Sequence, residues 1–238
     1  MCTKLAPLKA PGPLYAKEAI ADDCRMNLSR RQLCLFSLSA GLLHTPTWAD
    51  TAVDEGIDFE VLPKAQPTRS GGRIEVIEFF RYGCPFCDRL EPVLKRWAHA
   101  HEKDFVLRKV PVSFQSTTHQ QLHLTLVQLK QEERLAPLIY DAIHRHARAL
   151  DSLDDIADWV SHHGMDARAF TQTWHSPAVG QAIAQANAEV QAYGVKFVPQ
   201  FGVHGRYLTS PSMVGGDNAR ALEVVEALVK RELAERRG

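Results

Sequence analysis

The sequence predicts an α/β fold: a mixed sheet opened by a βαβ unit and completed by a late hairpin, with an all-helical domain inserted between them. Three observations lead there. Arg73–Phe80 and Phe105–Val112 are near-continuous apolar runs separated by one helical pattern, as a right-handed parallel βαβ unit requires. From Thr118 to Tyr193 only helical periodicities occur. After Gly194 the chain returns to strand, with Phe197–Val203 and Arg206–Leu208 flanking a His204-Gly205 turn.

Taken in order, the first element is a leader. Met26-Asn-Leu-Ser-Arg-Arg-Gln carries two positive charges, Leu33–Leu43 is an apolar stretch, and Thr47-Trp48-Ala49 ends it with small residues at −3 and −1. That is the order of a secretory signal peptide cleaved after Ala49, and the stretch is too short to span a bilayer, which takes roughly 20 residues. Residues 26–49 are therefore expected to be a signal peptide directing export to the periplasm, and residues 1–25 an extension upstream of a true start at Met26. Arg30-Arg31 also fits a twin-arginine signal.

Residues 50–115 should form the first part of the sheet domain, with a short strand at Asp58–Leu62, the strand ending at Phe80, and a helix from Cys84 to about His101 marked by Leu90, Val93, Leu94 and Trp97. Residues 116–193 should hold five helices, at Thr118–Lys130, Glu133–Ala147, Leu153–His162, Asp166–Trp174 and Pro177–Tyr193, with Gly164 and Gly194 as stops. Residues 194–238 supply the hairpin and a last helix after Asp217 carrying Leu222, Val225, Val229 and Leu233. This order is that of a thioredoxin-like fold with an inserted all-helical domain.

Composition narrows the function. The 238-residue chain is 45% hydrophobic, 24% charged and formally neutral, without the basic excess of nucleic-acid binders. Cys2, Cys24 and Cys34 all precede Ala49, so the processed chain keeps only Cys84 and Cys87, with 22 basic and 25 acidic residues. One possible pair is not a disulfide framework.

Cys84-Pro85-Phe86-Cys87 is open to three readings. Zinc would need a second pair of ligands, which no further cysteine supplies; haem attachment needs a histidine where Asp88 stands. A redox pair belongs between a buried strand and a helix start, where this one lies, with Pro85 suited to the first helical turn. There the free N–H groups and the helix dipole favour the Cys84 thiolate. A low thiol pKa makes that sulfur a good leaving group and stabilises the reduced form. Cys87, one turn in, should be the shielded resolving thiol.

Ile77-Glu78-Phe79-Phe80, the CPxC motif, the helical block and Val198-Pro199 together resemble the DsbA family of periplasmic disulfide-introducing proteins, over roughly Asp58 to Leu233. The resemblance implies a thiol:disulfide oxidoreductase without a cofactor. Its disulfide would pass to cysteine pairs of newly exported proteins and be restored by a quinone-linked membrane oxidase of the DsbB kind. It further implies that Pro199 is a cis-proline facing the disulfide, with the backbone beside Val198 pairing with an extended substrate. Glu78 and Lys109 match an acid and a lysine beneath the buried cysteine. They are read as a proton relay for Cys87, the plainer alternative being an ion pair at the sheet end. Phe86 departs from the family's strong oxidants, which have histidine there; it can neither donate a hydrogen bond nor carry charge, so Pro85 and Phe86 form the redox-tuning dipeptide.

Other features are set aside. His119 and His123, four apart, would lie on an exposed helix face rather than in a metal site, and His99/His101 and His144/His146 do not share a helix face. Pro92 should kink the first helix, and Trp97, Trp159 and Trp174 fit packing. Two further functions stay open. One is a reductase or isomerase on the same fold, though the residues ahead of Ile74 are too few for the isomerases' N-terminal dimerisation domain, so a monomer is expected. The other is a non-catalytic peptide-binding chaperone, which an inert cysteine pair would mark.

Overall fold

A computed structural model describes residues 52–114 and 116–236. The proposed leader, its cleavage site and the upstream extension lie outside the described residues.

A five-stranded sheet organises the chain. Its strands are β1 (Glu60–Val61), β2 (Ile74–Phe80), β3 (Phe105–Pro111), β4 (Gln200–Val203) and β5 (Tyr207–Thr209), in the order β1-β5-β4-β2-β3. β2 and β3 are parallel, with Glu78 level with Lys109; β4 joins β2 antiparallel, and β5 and β1 follow antiparallel. All seven residues of β2 are buried, which is why both faces of that strand are largely apolar, with Glu75 and Glu78 the two buried exceptions. Successive side chains alternate between faces: Ile74 and Val76 join a core with Leu90, Leu94, Phe201, Leu222, Val225 and Val229, whereas Ile77 and Phe79 pack with Val110, Tyr193 and Leu208. Each such side chain contributes about 1.5–3 kcal/mol by leaving water.

The first core is closed by α1 (Pro85–Ala100) and α7 (Asn218–Glu235). Between β3 and β4 come α2 (Thr117–Gln128), α3 (Glu132–His144), α4 (Leu153–His162), α5 (Ala167–Trp174) and α6 (Pro177–Ala192). Four of these begin where a short polar side chain accepts backbone N–H bonds: Ser116 before α2, Ser152 before α4, Asp166 before α5 and Ser176 before α6. Asp217 caps α7 in the same way. Leu122, Leu126, Leu135, Ile139, Tyr140, Ile156, Trp159 and Phe170 build the core of the helical block, and Phe80, Tyr82, Cys84 and Cys87 belong to that cluster too. The cysteine pair therefore sits at the seam between sheet and helices.

Several boundaries differ from expectation. The Asp58–Leu62 strand contracts to two exposed residues at the sheet edge. The Phe197–Val203 strand begins only at Gln200, because Pro199 has no N–H for the ladder. α2 and α3 stop early: Lys130 and Ala147 take positive φ of 55° and 53° and turn the chain out of the helix. A 3-10 turn at Pro211–Val214, not expected from the sequence, leads into α7.

Candidate active site

Cys84 is the residue that begins α1. Its backbone is extended (φ −92°, ψ 117°), Pro85 occupies the first turn, and the Asp88 N–H donates to the Cys84 carbonyl at 3.0 Å. The preceding turn is closed by the Cys84 N–H donating to the Arg81 carbonyl at 3.1 Å. Both cysteines are free thiols; Cys84 is 5% exposed and Cys87 fully buried.

The two thiols are pushed apart. A hydrogen bond from the Cys87 thiol, then N–H groups of Cys87 and Phe86 and the Arg81 charge, outweigh burial and lower Cys84 from the ordinary 9.0 to about 6. Burial, reinforced by that same hydrogen bond and by the negative charge of Glu78, pushes the Cys87 thiol far above its usual range. The helix-start N–H groups thus act as expected, but the largest single stabilisation comes from Cys87.

The Val198–Pro199 peptide is cis, and the Cys84 thiol lies 3.5 Å from the Val198 carbonyl, to which it donates. Residues 114 apart in sequence meet here because β4 lies directly beside β2. Phe86 projects outward, 60% exposed, with the Arg89 guanidinium 4.6 Å above its ring. Asp88 takes a forked ion pair at 3.0 and 3.1 Å from Arg145, which caps the end of α3, tying the active-site helix to the helical block.

Beneath Cys87 lies a buried charge cluster. Lys109 Nζ is 3.6 Å from Glu78 and in direct contact with Glu91. Burial raises Glu78 to about 7 against the opposing pull of Lys109, with Glu91 adding to the rise. Burial works against the Lys109 charge as well, but Glu78 and Glu91 outweigh it and hold the ammonium above its usual range. A cleft of about 560 Å³, lined in part by Glu91, Lys109, His123 and Glu132, opens this cluster to solvent. Glu91 was missed in the sequence, although its position four residues after Cys87 puts both on one face of α1. Arg81 was read only as part of a turn.

The two histidines of α2 are a correction. His119 and His123 are not on an exposed face: they are 8% and 1% exposed. His123 shares a 3.1 Å hydrogen bond with the Tyr82 hydroxyl, and burial together with Lys109 lowers it to about 3, so it is neutral. His119 donates from Nε2 to the Ala149 carbonyl at 2.9 Å. α2 is enclosed on several sides by the rest of the helical block, so its polar face is interior too.

A family model described as "DSBA-like thioredoxin domain" matches residues 93–225, more than half of the chain. The thiol:disulfide interchange protein DsbA of Bordetella parapertussis is 32% identical over 201 residues, covering 84% of this chain and 94% of the relative. The chain belongs to the DsbA family. The DsbA of Azotobacter vinelandii is 33% identical over 179 residues, covering 74% of this chain and 83% of that one. The crystal structure of Pseudomonas aeruginosa DsbA superposes with a TM-score of 0.74 at 29% identity, covering 77% of this chain and 96% of that one. As a DsbA-family member the chain is a protein-disulfide oxidoreductase with the thioredoxin-like fold and helical insertion expected from its element order. The family model begins beyond Cys87, so the two cysteines rest on the local geometry rather than on that match.

Proposed function

We propose that this chain is an exported, monomeric dithiol oxidase of the periplasm, which donates a Cys84–Cys87 disulfide to cysteine pairs of newly translocated proteins. A substrate thiolate attacks Cys84 Sγ, the Cys84–Cys87 bond breaks, and a mixed disulfide forms. Cys87 leaves with the electron pair and takes up a proton. The second substrate thiolate then attacks the substrate sulfur, and Cys84 departs as a thiolate. Two electrons have moved from substrate to enzyme, and a quinone-linked membrane oxidase of DsbB type removes them.

The observation that carries this reading is the separation of the two thiols: Cys84 lowered to about 6, Cys87 raised and sealed from solvent. A stabilised Cys84 thiolate is the better leaving group in the second exchange and favours the reduced enzyme, the direction of an oxidase. The half-buried loop that sets the Val198 carbonyl against Cys84 suits pairing with an extended substrate strand, which reads backbone rather than sequence. Glu78, poised near 7, with Lys109 and Glu91 beside it, supports the proton relay to Cys87.

Incubation with a reduced, unfolded multi-cysteine protein tests the roles. Cys84→Ser should abolish oxidation, and Cys87→Ser should accumulate mixed disulfides. Equal trapping by both variants would overturn the assignment, and an equilibrium with glutathione lying far toward the disulfide would make the enzyme a reductase.

A further inference from the structure

The chain enters the redox motif through a tight turn. Tyr82 and Gly83 are its central residues, and the Cys84 N–H closes it on the Arg81 carbonyl at 3.1 Å. Gly83 keeps its φ outside the left-handed region, yet a glycine at this position enters that region without steric cost. The Tyr82–Gly83 peptide is therefore free, as far as its own backbone goes, to rotate over into the alternative turn type. A turn built this way needs an outside group to hold it in one form.

That group comes from the helical block. His144, the last residue of α3, donates from Nε2 to the Tyr82 carbonyl at 2.7 Å; a carbonyl only accepts, so the imidazole is the donor. Tyr140, one turn earlier, stacks on the His144 ring with centroids 6.1 Å apart and meets the Tyr82 ring edge-on at 5.2 Å. The residue after His144 is Arg145, which forks onto Asp88 at 3.0 and 3.1 Å. Two adjacent residues thus bracket Cys84-Pro85-Phe86-Cys87, one gripping the chain ahead of the first cysteine and the other just beyond the second. Between these grips Cys84 Sγ must meet the Val198 carbonyl at 3.5 Å and accept from the Cys87 thiol.

We propose that His144 is a positioning residue for the dithiol chemistry: by holding the Tyr82 carbonyl it fixes the turn that presents Cys84 Sγ to Cys87, to the Val198 carbonyl and to the incoming substrate thiolate. The helical block then acts on the reaction itself, because a small misplacement of reacting atoms slows their chemistry steeply. The proposal rests on Cys84 being the attacked sulfur.

Three proteins test it: wild type, His144→Phe, which keeps a ring on Tyr140 but cannot donate, and His144→Gln, which restores an N–H at similar reach. Each would be titrated by ultraviolet thiolate absorbance and timed as it oxidises a reduced, unfolded multi-cysteine protein. Wild type should titrate near 6. His144→Phe, with native circular dichroism, should titrate about 0.3–1 unit higher and oxidise substrate about two- to tenfold more slowly, the range that one hydrogen bond of this kind covers. His144→Gln should recover most of both. A folded His144→Phe with the wild-type midpoint and rate would overturn this inference alone, as would a His144→Gln as impaired as His144→Phe. Wild type also supplies a check that needs no variant: a long-range proton–nitrogen NMR spectrum at mildly alkaline pH should show His144 Nε2 carrying a proton, and a bare Nε2 would overturn the bond itself. A wild-type thiolate midpoint near the ordinary 9.0 would remove the Cys84 assignment, and this inference with it.

Discussion

If Cys84 titrates near 6 in the folded protein, the reduced form must gain stability with pH that the disulfide form cannot. A thiol depressed from 9.0 to about 6 contributes stability that is complete above pH 9 and is lost as pH falls through 6. Three units correspond to about 4 kcal/mol at the top of that window, and to about 1.4 kcal/mol at pH 7. Cys87 does not blur the window, because its upward shift costs stability only above its ordinary value of 9.0. Glu78 is common to both redox forms and largely cancels in their difference. Urea unfolding of reduced and oxidised protein at pH 5, 7 and 9 should therefore show a difference that grows with pH in favour of the reduced form. Cys87→Ala removes the hydrogen bond that contributes most, so its thiolate midpoint should rise by roughly 1 unit while staying below 9, since backbone N–H groups and Arg81 remain. A stability difference flat from pH 6 to 9, or a Cys87→Ala midpoint equal to wild type, would refute this account of the thiolate.

Glu78 has the opposite sign: raised from 4.5 to about 7, it makes the folded state lose about 3 kcal/mol as pH climbs through that range. Glu78→Gln should flatten that slope in urea melts at pH 5 and 8, and parallel slopes in variant and wild type would count against it. Phe86→His should lower the Cys84 midpoint and make the glutathione equilibrium more oxidising, by roughly 30 mV per pKa unit; a more reducing variant would show that the dipeptide does not tune this site. Gly202→Ala should cost about 1–3 kcal/mol, because a Cβ there would come within 2.9 Å of the Tyr193 ring. An unchanged unfolding midpoint would mean that the ring yields.

The local chemistry was legible in the sequence because it is written within one or two turns of chain. The β2 run declared a strand buried on both faces, Asp166, Ser176 and Asp217 stand at helix starts, and Pro85 follows the cysteine that begins α1. Glu78 and Lys109 could be paired beforehand through the family resemblance and because they lie on neighbouring strands, and the parallel register sets them level. What only the tertiary structure decided concerns groups brought together by strand order and helix packing. β4 beside β2 sets the Val198 carbonyl against Cys84, 114 residues away in the chain. The pattern of α2 suggested an exposed histidine face. That pattern records polarity, whereas the burial of a neutral imidazole depends on whether neighbouring chain encloses it and offers hydrogen-bond partners, and Tyr82 and the Ala149 carbonyl do so from elsewhere in the fold.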